Sequence, residues 1–445
     1  MHYYPERVLP DNLLWHLEEN RVTWPGFNLL WDINWIMRVH FHPVWKSLGV
    51  HFAGRLLRQG WRIGLFLVLT VLFSYGGARA AEPGQPTNQV VPASRTSLPD
   101  ALSPAQWRRM EQAVDRALAW IATQQAADGS FPTYPSGQPA VTSLSAMAFL
   151  SRGHQPGVGP YGVCLNRAID FVMSCQKEDG LFSYQVPQAV YVTREASHTA
   201  SYNHAIAGLM LTEVYGQVTG RRAENVKAAI GKALLFTRAL QARPKPELDK
   251  GGWRYLRLST STGGDSDISA TAWQLMFLRS AKNAEFDVPP EPIEQAMSYV
   301  NRCWNPSSGM FNYAFQNGVP YGASRGVTAA GIVSLAMGGQ HQTPIALAAG
   351  DWLLAHPFRS SGEVIGPYDK FIYATYYCSQ AAAQLGGRYW QGIYPPMVEV
   401  LLRSQSPDGS WKSLPDLATF GDGFMTAMAV LSLTPAYQLL PVYQR

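Results

Sequence analysis

Cysteine, charge and long apolar runs are all scarce in this sequence. Its four cysteines, Cys164, Cys175, Cys303 and Cys378, are scattered through 445 residues without a CxxC pair. That excludes a zinc ribbon and a thioredoxin-type redox motif. Isolated cysteines in helices are expected to be small buried apolar residues, with two disulfides open to them if the chain is exported. Charged residues make up 15% of the chain, and the net charge of +5 is uneven. Residues 1–80 hold eight Lys/Arg and five Asp/Glu, which leaves 28 against 26 beyond them. Nucleic-acid binding draws its affinity from clustered basic groups on phosphates, and no basic run or stripe is present, so that class is excluded.

The most apolar stretch, Ile63 to Tyr75, is shorter than the roughly 20 residues of a spanning helix. It follows Arg55, Arg58 and Arg62 and precedes Ala78-Arg79-Ala80, the order of a secretory signal with cleavage before Ala81. The expectation is therefore export, to the periplasm or the medium. Residues 1–62 form a long leader, which a start at Met37 would shorten. The alternative is an uncleaved signal anchor that associates the protein with a membrane through one N-terminal helix, since the basic flank also suits the positive-inside rule. Residues 81–102, rich in Pro, Ser, Thr and Gln, read as a linker. A folded body is expected over 103–435, opened by the Ser103-Pro104 cap, with a tail over 436–445.

What is abundant is apolar residues, at 47%, arranged in a repeat. An apolar helix ends in Gln or a near equivalent, a glycine turn and an aromatic, and a second helix rich in small residues follows. ALAWIATQQAADGSF leads to TSLSAMAFL, AIDFVMSCQKEDGLF to NHAIAGLML, and ALLFTRALQ with GGWRY to SATAWQLMFL. AMSYVNRCWNPSSGMF leads to VTAAGIVSLAM, and VEVLLRSQSPDGSW to FMTAMAVLSL. Between these two lies a degraded copy, LAAGDWLLAHP with ATYYCSQAAAQLG. A glycine after a helix can take the left-handed conformation that ends it. Six helical hairpins result, with small-residue helices inside and polar-faced helices outside. Neither the first nor the last unit resembles a solenoid cap, so the hairpins are expected to close into an all-α (α/α)6 toroid rather than an open array.

QQAADGSF, CQKEDGLF and QSPDGSW resemble the glutamine-tryptophan repeats of squalene and oxidosqualene cyclases and of the related protein prenyltransferase β subunits. The resemblance covers roughly residues 110–435 and implies a terpenoid-cyclase-like α/α toroid around a central apolar cavity. The cyclases carry an Asp-x-Asp-Asp-Thr-Ala segment whose middle acid protonates an alkene or epoxide. This chain has DSDISA, so the resemblance assigns proton donation to Asp267 with Asp265 in support, while Ile268 replaces the third acid. The prenyltransferases hold zinc through an Asp, a Cys and a His. Here Ser269 and Tyr373 stand where the Cys and His belong, so no metal and no organic cofactor is expected. The implied activity is metal-independent, acid-initiated cyclisation or isomerisation of an isoprenoid.

His204, at an inner-helix start, is a candidate to tune Asp267, or else a histidine bonded to a loop. Tyr202, Trp273, Tyr373, Tyr376 and Tyr377 are candidate cavity-lining aromatics that can steady a cation, or ordinary core. Arg325, at the start of the fourth inner helix, could receive an anionic group. Asp267 could equally be a helix cap. Two further readings stand beside catalysis: a non-catalytic ring that binds a hydrophobic small molecule or a protein partner, and a polysaccharide-active ring.

Overall fold

Capping chemistry starts the first helix. In the computed structural model, which describes residues 98–256, 266–414 and 418–444, Ser103 and Gln106 form a reciprocal capping box ahead of α1 (Pro104–Thr123). The odd helices α3 (Gly162–Ser174), α5 (Gly220–Gln241), α7 (Pro290–Arg302), α9 (Pro344–Ala355) and α11 (Gly387–Ser404) follow α1 as an outer layer. The even helices α2 (Ala140–Ser151), α4 (Ala196–Tyr215), α6 (Ile268–Asn283), α8 (Arg325–Met337), α10 (Phe371–Leu385) and α12 (Gly421–Leu433) form an inner one. Every residue of α2 and α8 is buried, as small side chains that face neighbours on all sides must be. Each inner helix packs on the inner helices before and after it, and α12 packs on α2. The six hairpins therefore close into an (α/α)6 ring.

The repeat residues supply the joints. Gln125 Nε2 donates to the Gly129 carbonyl of its own turn and to Cys164 O on the next outer helix. Gln176 does the same with Gly180 and Ala229, and Gln241 with Gly251 and Pro292. Gln405 donates to Gly409 and, across the seam, to Ala113 of α1 at 2.8 Å. The same amide that joins neighbours thus also joins the last hairpin to the first. The turn glycine has two reasons to be glycine. Gly251 sits at φ +94°, and a Cβ there would lie 2.1 Å from Gln295 O. Gly251→Ala should lower stability by more than about 1 kcal/mol in urea denaturation. Gly318→Ala, at φ +80° with open space around it, should show only the smaller conformational part. Equal effects would mean that the close approach does not matter.

In five of the six hairpins the turn aromatic is fastened to the inner helix by its backbone N–H. Phe131, Trp253, Phe311 and Trp411 donate to the hydroxyls of Thr142, Thr271, Thr328 and Thr426. In the second hairpin His204 Nδ1 takes the threonine's place and accepts from Phe182 N at 3.2 Å.

The folded body extends past both ends of the expected span. Residues 98–101 form a 3-10 turn in which Leu98 is buried beside Leu102, and the Leu98 carbonyl accepts from Trp390 Nε1. The expected linker therefore ends before Leu98, because its final leucines have apolar surface to bury. The expected tail is packed as well. Val442 N donates to Glu213 Oε1 at 3.2 Å, Asn283 Nδ2 to Pro441 O, and Gln384 Nε2 to Tyr443 O. These partners lie near the C-terminal ends of α4, α6 and α10, so residues 435–444 cover that side of the ring. Burial pushes the Glu213 carboxyl up to about 7.

The four cysteines are free thiols, three of them buried. Asp265, the leader, the apolar run and the Ala81 junction lie outside the described residues. Among the described residues no helix is long and apolar enough to cross a membrane.

Candidate functional site

Asp267 is fixed before its side chain does anything. Its N–H donates to Trp253 O at 2.9 Å, and the next N–H, of Ile268, donates to Tyr313 O at 2.8 Å. The turn of its own hairpin and the turn of the next thus hold the start of α6 between them. Asp267 Oδ1 then caps α6 by accepting from Ala270 N at 2.7 Å. The other oxygen, Oδ2, faces Arg254 Nε at 3.6 Å and has no well-aligned hydrogen bond among the described residues.

The carboxyl is fully buried. Burial raises its pKa to about 6, against the lowering influence of Arg254 and of the Ala270 N–H. Arg254 is also enclosed. It donates to Tyr321 Oη at 2.9 Å and lies over the rings of Tyr255 and Tyr313, whose hydroxyls meet at 2.5 Å. The result is a carboxyl whose neutral form burial favours, next to a cation and inside a shell of phenols.

Half-buried aromatics mark where this shell opens. In α10 every residue is buried except Tyr373, and in the N-terminal half of α4 only His198 and Tyr202 keep accessible surface. Tyr255, Tyr313 and Phe424 are half-buried as well. All six belong to inner-helix N-terminal halves or to the loops that lead into α6 and α8, so they lie at that mouth of the ring. Below them the centre is filled. Trp273 and Tyr376 stack with ring centroids 5.3 Å apart, and Tyr377 meets Trp273 edge-on at 5.8 Å. Tyr376 also shares a hydroxyl contact with Tyr443 of the C-terminal segment.

The candidates named from the sequence divide into those brought together and those held apart. Tyr202 and Tyr373 converge on Ser269, two residues after Asp267, and Trp273, Tyr376 and Tyr377 lie beneath them. His204 is not brought to Asp267. Its Nε2 meets Thr237 Oγ1 at 2.9 Å, its ring packs on Phe236 and Phe277, and burial drives its pKa down to about 3. It is a neutral joint between the layers, at the register that threonine fills in four other hairpins.

Arg325 is not open to a ligand. Its buried guanidinium contacts Asp369 Oδ2 at 3.3 Å, donates to Glu363 O and covers the Phe358 ring at 3.8 Å. Among the described residues no group of three or more His, Cys, Asp or Glu comes together to hold a metal. Arg254, Tyr255 and Tyr313 were not among the sequence candidates. One signal for Arg254 was available: Lys412 follows Trp411 as Arg254 follows Trp253, and Lys412 pairs with Asp422 at 3.3 Å.

No protein-family model and no curated protein matches the chain. Solved structures do resemble it. An arginine-to-alanine variant of the type II terpene cyclase MstE from Scytonema, in complex with geranylgeranyl dihydroxybenzoate, is 16% identical. The likeness covers 76% of this chain and 99% of that one, at a TM-score of 0.51. An inactive variant of the α-1,6-mannanase GH76A from Salegentibacter sp. HEL1_6, in complex with α-1,6-mannotriose, is 11% identical over 74% of this chain and 99% of its own, also at 0.51. A glycosidase variant is 11% identical over 76% of this chain and 100% of its own, at 0.52. The chain is thus an (α/α)6 toroid, a fold that serves a terpene cyclase and a mannanase alike.

Proposed function

We propose that this ring is an exported acid catalyst that takes an isoprenoid-class molecule at its inner-helix N-terminal mouth. Asp267 gives a proton to a carbon–carbon double bond. The observation that carries this reading is the buried Asp267 carboxyl with one oxygen engaged in capping and the other, Oδ2, without a well-aligned hydrogen bond. A neutral carboxylic acid is what alkene protonation requires, and burial supplies it near pH 6. The faces of Tyr202, Tyr373 and Trp273 offer electron density to the carbocation that protonation creates. Proton loss to a base at the end of the reaction restores neutrality, so the product is an isomer of the substrate. Incubation with squalene and shorter isoprenoids, followed by mass-spectrometric product analysis, tests the reading; conversion of any of them supports it, and inertness towards all of them rejects it.

A second reading rests on the repeat itself. Lys412–Asp422 occupies in the sixth hairpin the place that Arg254–Asp267 holds in the third, which favours a scaffold role for the pair and a ring that binds without reacting. Full burial raises the Asp267 carboxyl, whereas the half-buried Asp422, bonded to Ser413 and Lys412, stays below the usual carboxylate range. Export is proposed from the apolar run and the Ala78/Ala80 exit. N-terminal sequencing of secreted protein should begin near Ala81, and full-length material retained in membranes would replace export with anchoring.

A further inference from the structure

Residues 435–444 are held over the C-terminal ends of the inner helices largely through their backbone. Val442 N donates to both Glu213 oxygens, at 3.2 and 3.4 Å, while Pro441 O accepts from Asn283 Nδ2 and Tyr443 O from Gln384 Nε2. Tyr443 reaches further in. Its hydroxyl meets that of Tyr376, which stacks on Trp273, and lies 3.3 Å from Met276 Sδ. Gln438, where the segment turns, has φ +52°, a left-handed conformation unfavourable for a residue with a side chain. A void of about 10 Å³ remains beneath the segment, between Thr434, Leu440 and Tyr443.

Only one of these attachments can change its charge. The buried Glu213 carboxyl accepts from the Ser280 hydroxyl as well as from Val442 N, and Thr212 donates to Ser280 in turn. The titratable groups that face it are the phenols of Tyr376 on α10 and Tyr443 in the segment, and burial pushes both phenols up, so they stay neutral. Among the described residues no Lys, Arg or His acts on it. A carboxylate enclosed without a cation is unfavourable, and lifting the segment away returns it to water.

We infer that residues 435–444 form a pH-governed strap, closed over the C-terminal side of the ring while Glu213 is protonated and released as Glu213 ionises. The sign follows from burial. The carboxyl is raised to about 7 under the closed strap and returns to the ordinary carboxylate range when the strap lifts, so closure is strongest at acidic pH and weakens as pH rises towards 7. Release withdraws Tyr443 from the centre and gives water a way in from the far side. The strap does not depend on the isoprenoid reading.

Amide hydrogen exchange of the full chain, read at Val442 and Tyr443 and along α4 and corrected for the intrinsic rate, tests this. In wild type the open population of the strap should rise about tenfold per pH unit between about pH 5 and 7 and level off above, while the amides of α4 keep their protection. Glu213→Gln keeps an oxygen for Val442 N and Ser280 but has no proton to lose, so its strap exchange should not change with pH. Protected α4 amides show that this variant is folded. Wild-type protection at Val442 and Tyr443 that is the same at every pH would overturn the inference. So would a pH dependence that survives Glu213→Gln, or α4 opening together with the strap.

Discussion

Asp267→Asn should reduce product formation by about two to four orders of magnitude, the usual contribution of a positioned general acid. The amide keeps the shape of the carboxyl and its cap on Ala270 N, and below pH 6 it matches the neutral acid in charge. Only the transferable proton is lost. The pH dependence has a definite sign. A carboxyl raised to about 6 donates below that pH and is depleted above it, so wild-type turnover should fall about tenfold per pH unit on the alkaline side. Asp267→Ala differs, because it also removes the cap and leaves Arg254 buried beside an empty place. Its loss should include about 3–5 kcal/mol of stability, the effect of orphaning a buried charge. An Asn variant with full turnover would assign Asp267 to the scaffold alone.

The second large effect is expected far from the chemistry. Asp369 accepts from Gly326 N and Ile365 N and faces the buried Arg325 guanidinium, so it ties the loop between α9 and α10 to the start of α8. Asp369→Leu alone should lower stability by about 3–5 kcal/mol in urea denaturation, since Arg325 would remain charged and buried. Adding Arg325→Met should restore most of that loss, because two apolar side chains can fill the space of the pair. Ligand affinity of the folded double variant should be unchanged. A selective loss of affinity with stability intact would return Arg325 to the binding site.

How legible the molecule was depended on the range over which its interactions act. The Gln, the glycine and the aromatic of each turn lie within seven residues of each other in the clearest copies, so the six hairpins could be read directly. Their closure was inferred from the missing caps, and Gln405 reaching α1 is its physical form. His204 misled because it carries titratable chemistry at a register where Thr142, Thr271, Thr328 and Thr426 do the same joining work. The separation of turn aromatic and partner runs from 11 to 22 residues across these hairpins, so spacing alone does not reveal the equivalence. Arg325 misled because its partner Asp369 lies 44 residues away in a loop without periodicity. The shell around Asp267 was least readable, since Tyr313 comes from the following hairpin and meets Tyr255 only in the folded ring. The C-terminal segment gave no periodic signal at all; its burial depends on Glu213 and Gln384 in distant helices.

The central claim is that Asp267 transfers a proton to carbon, and deuterium incorporation reads that event directly. Wild-type protein incubated at pH 5–6 in deuterated buffer with an isoprenoid it converts should yield an isomeric product about one mass unit heavier than in ordinary water, because one deuteron is added and one proton is lost. The Asp267→Asn variant should bind the same compound and yield neither product nor label. Unlabelled product from wild type, or labelled product from the Asn variant at the wild-type rate, would contradict the account.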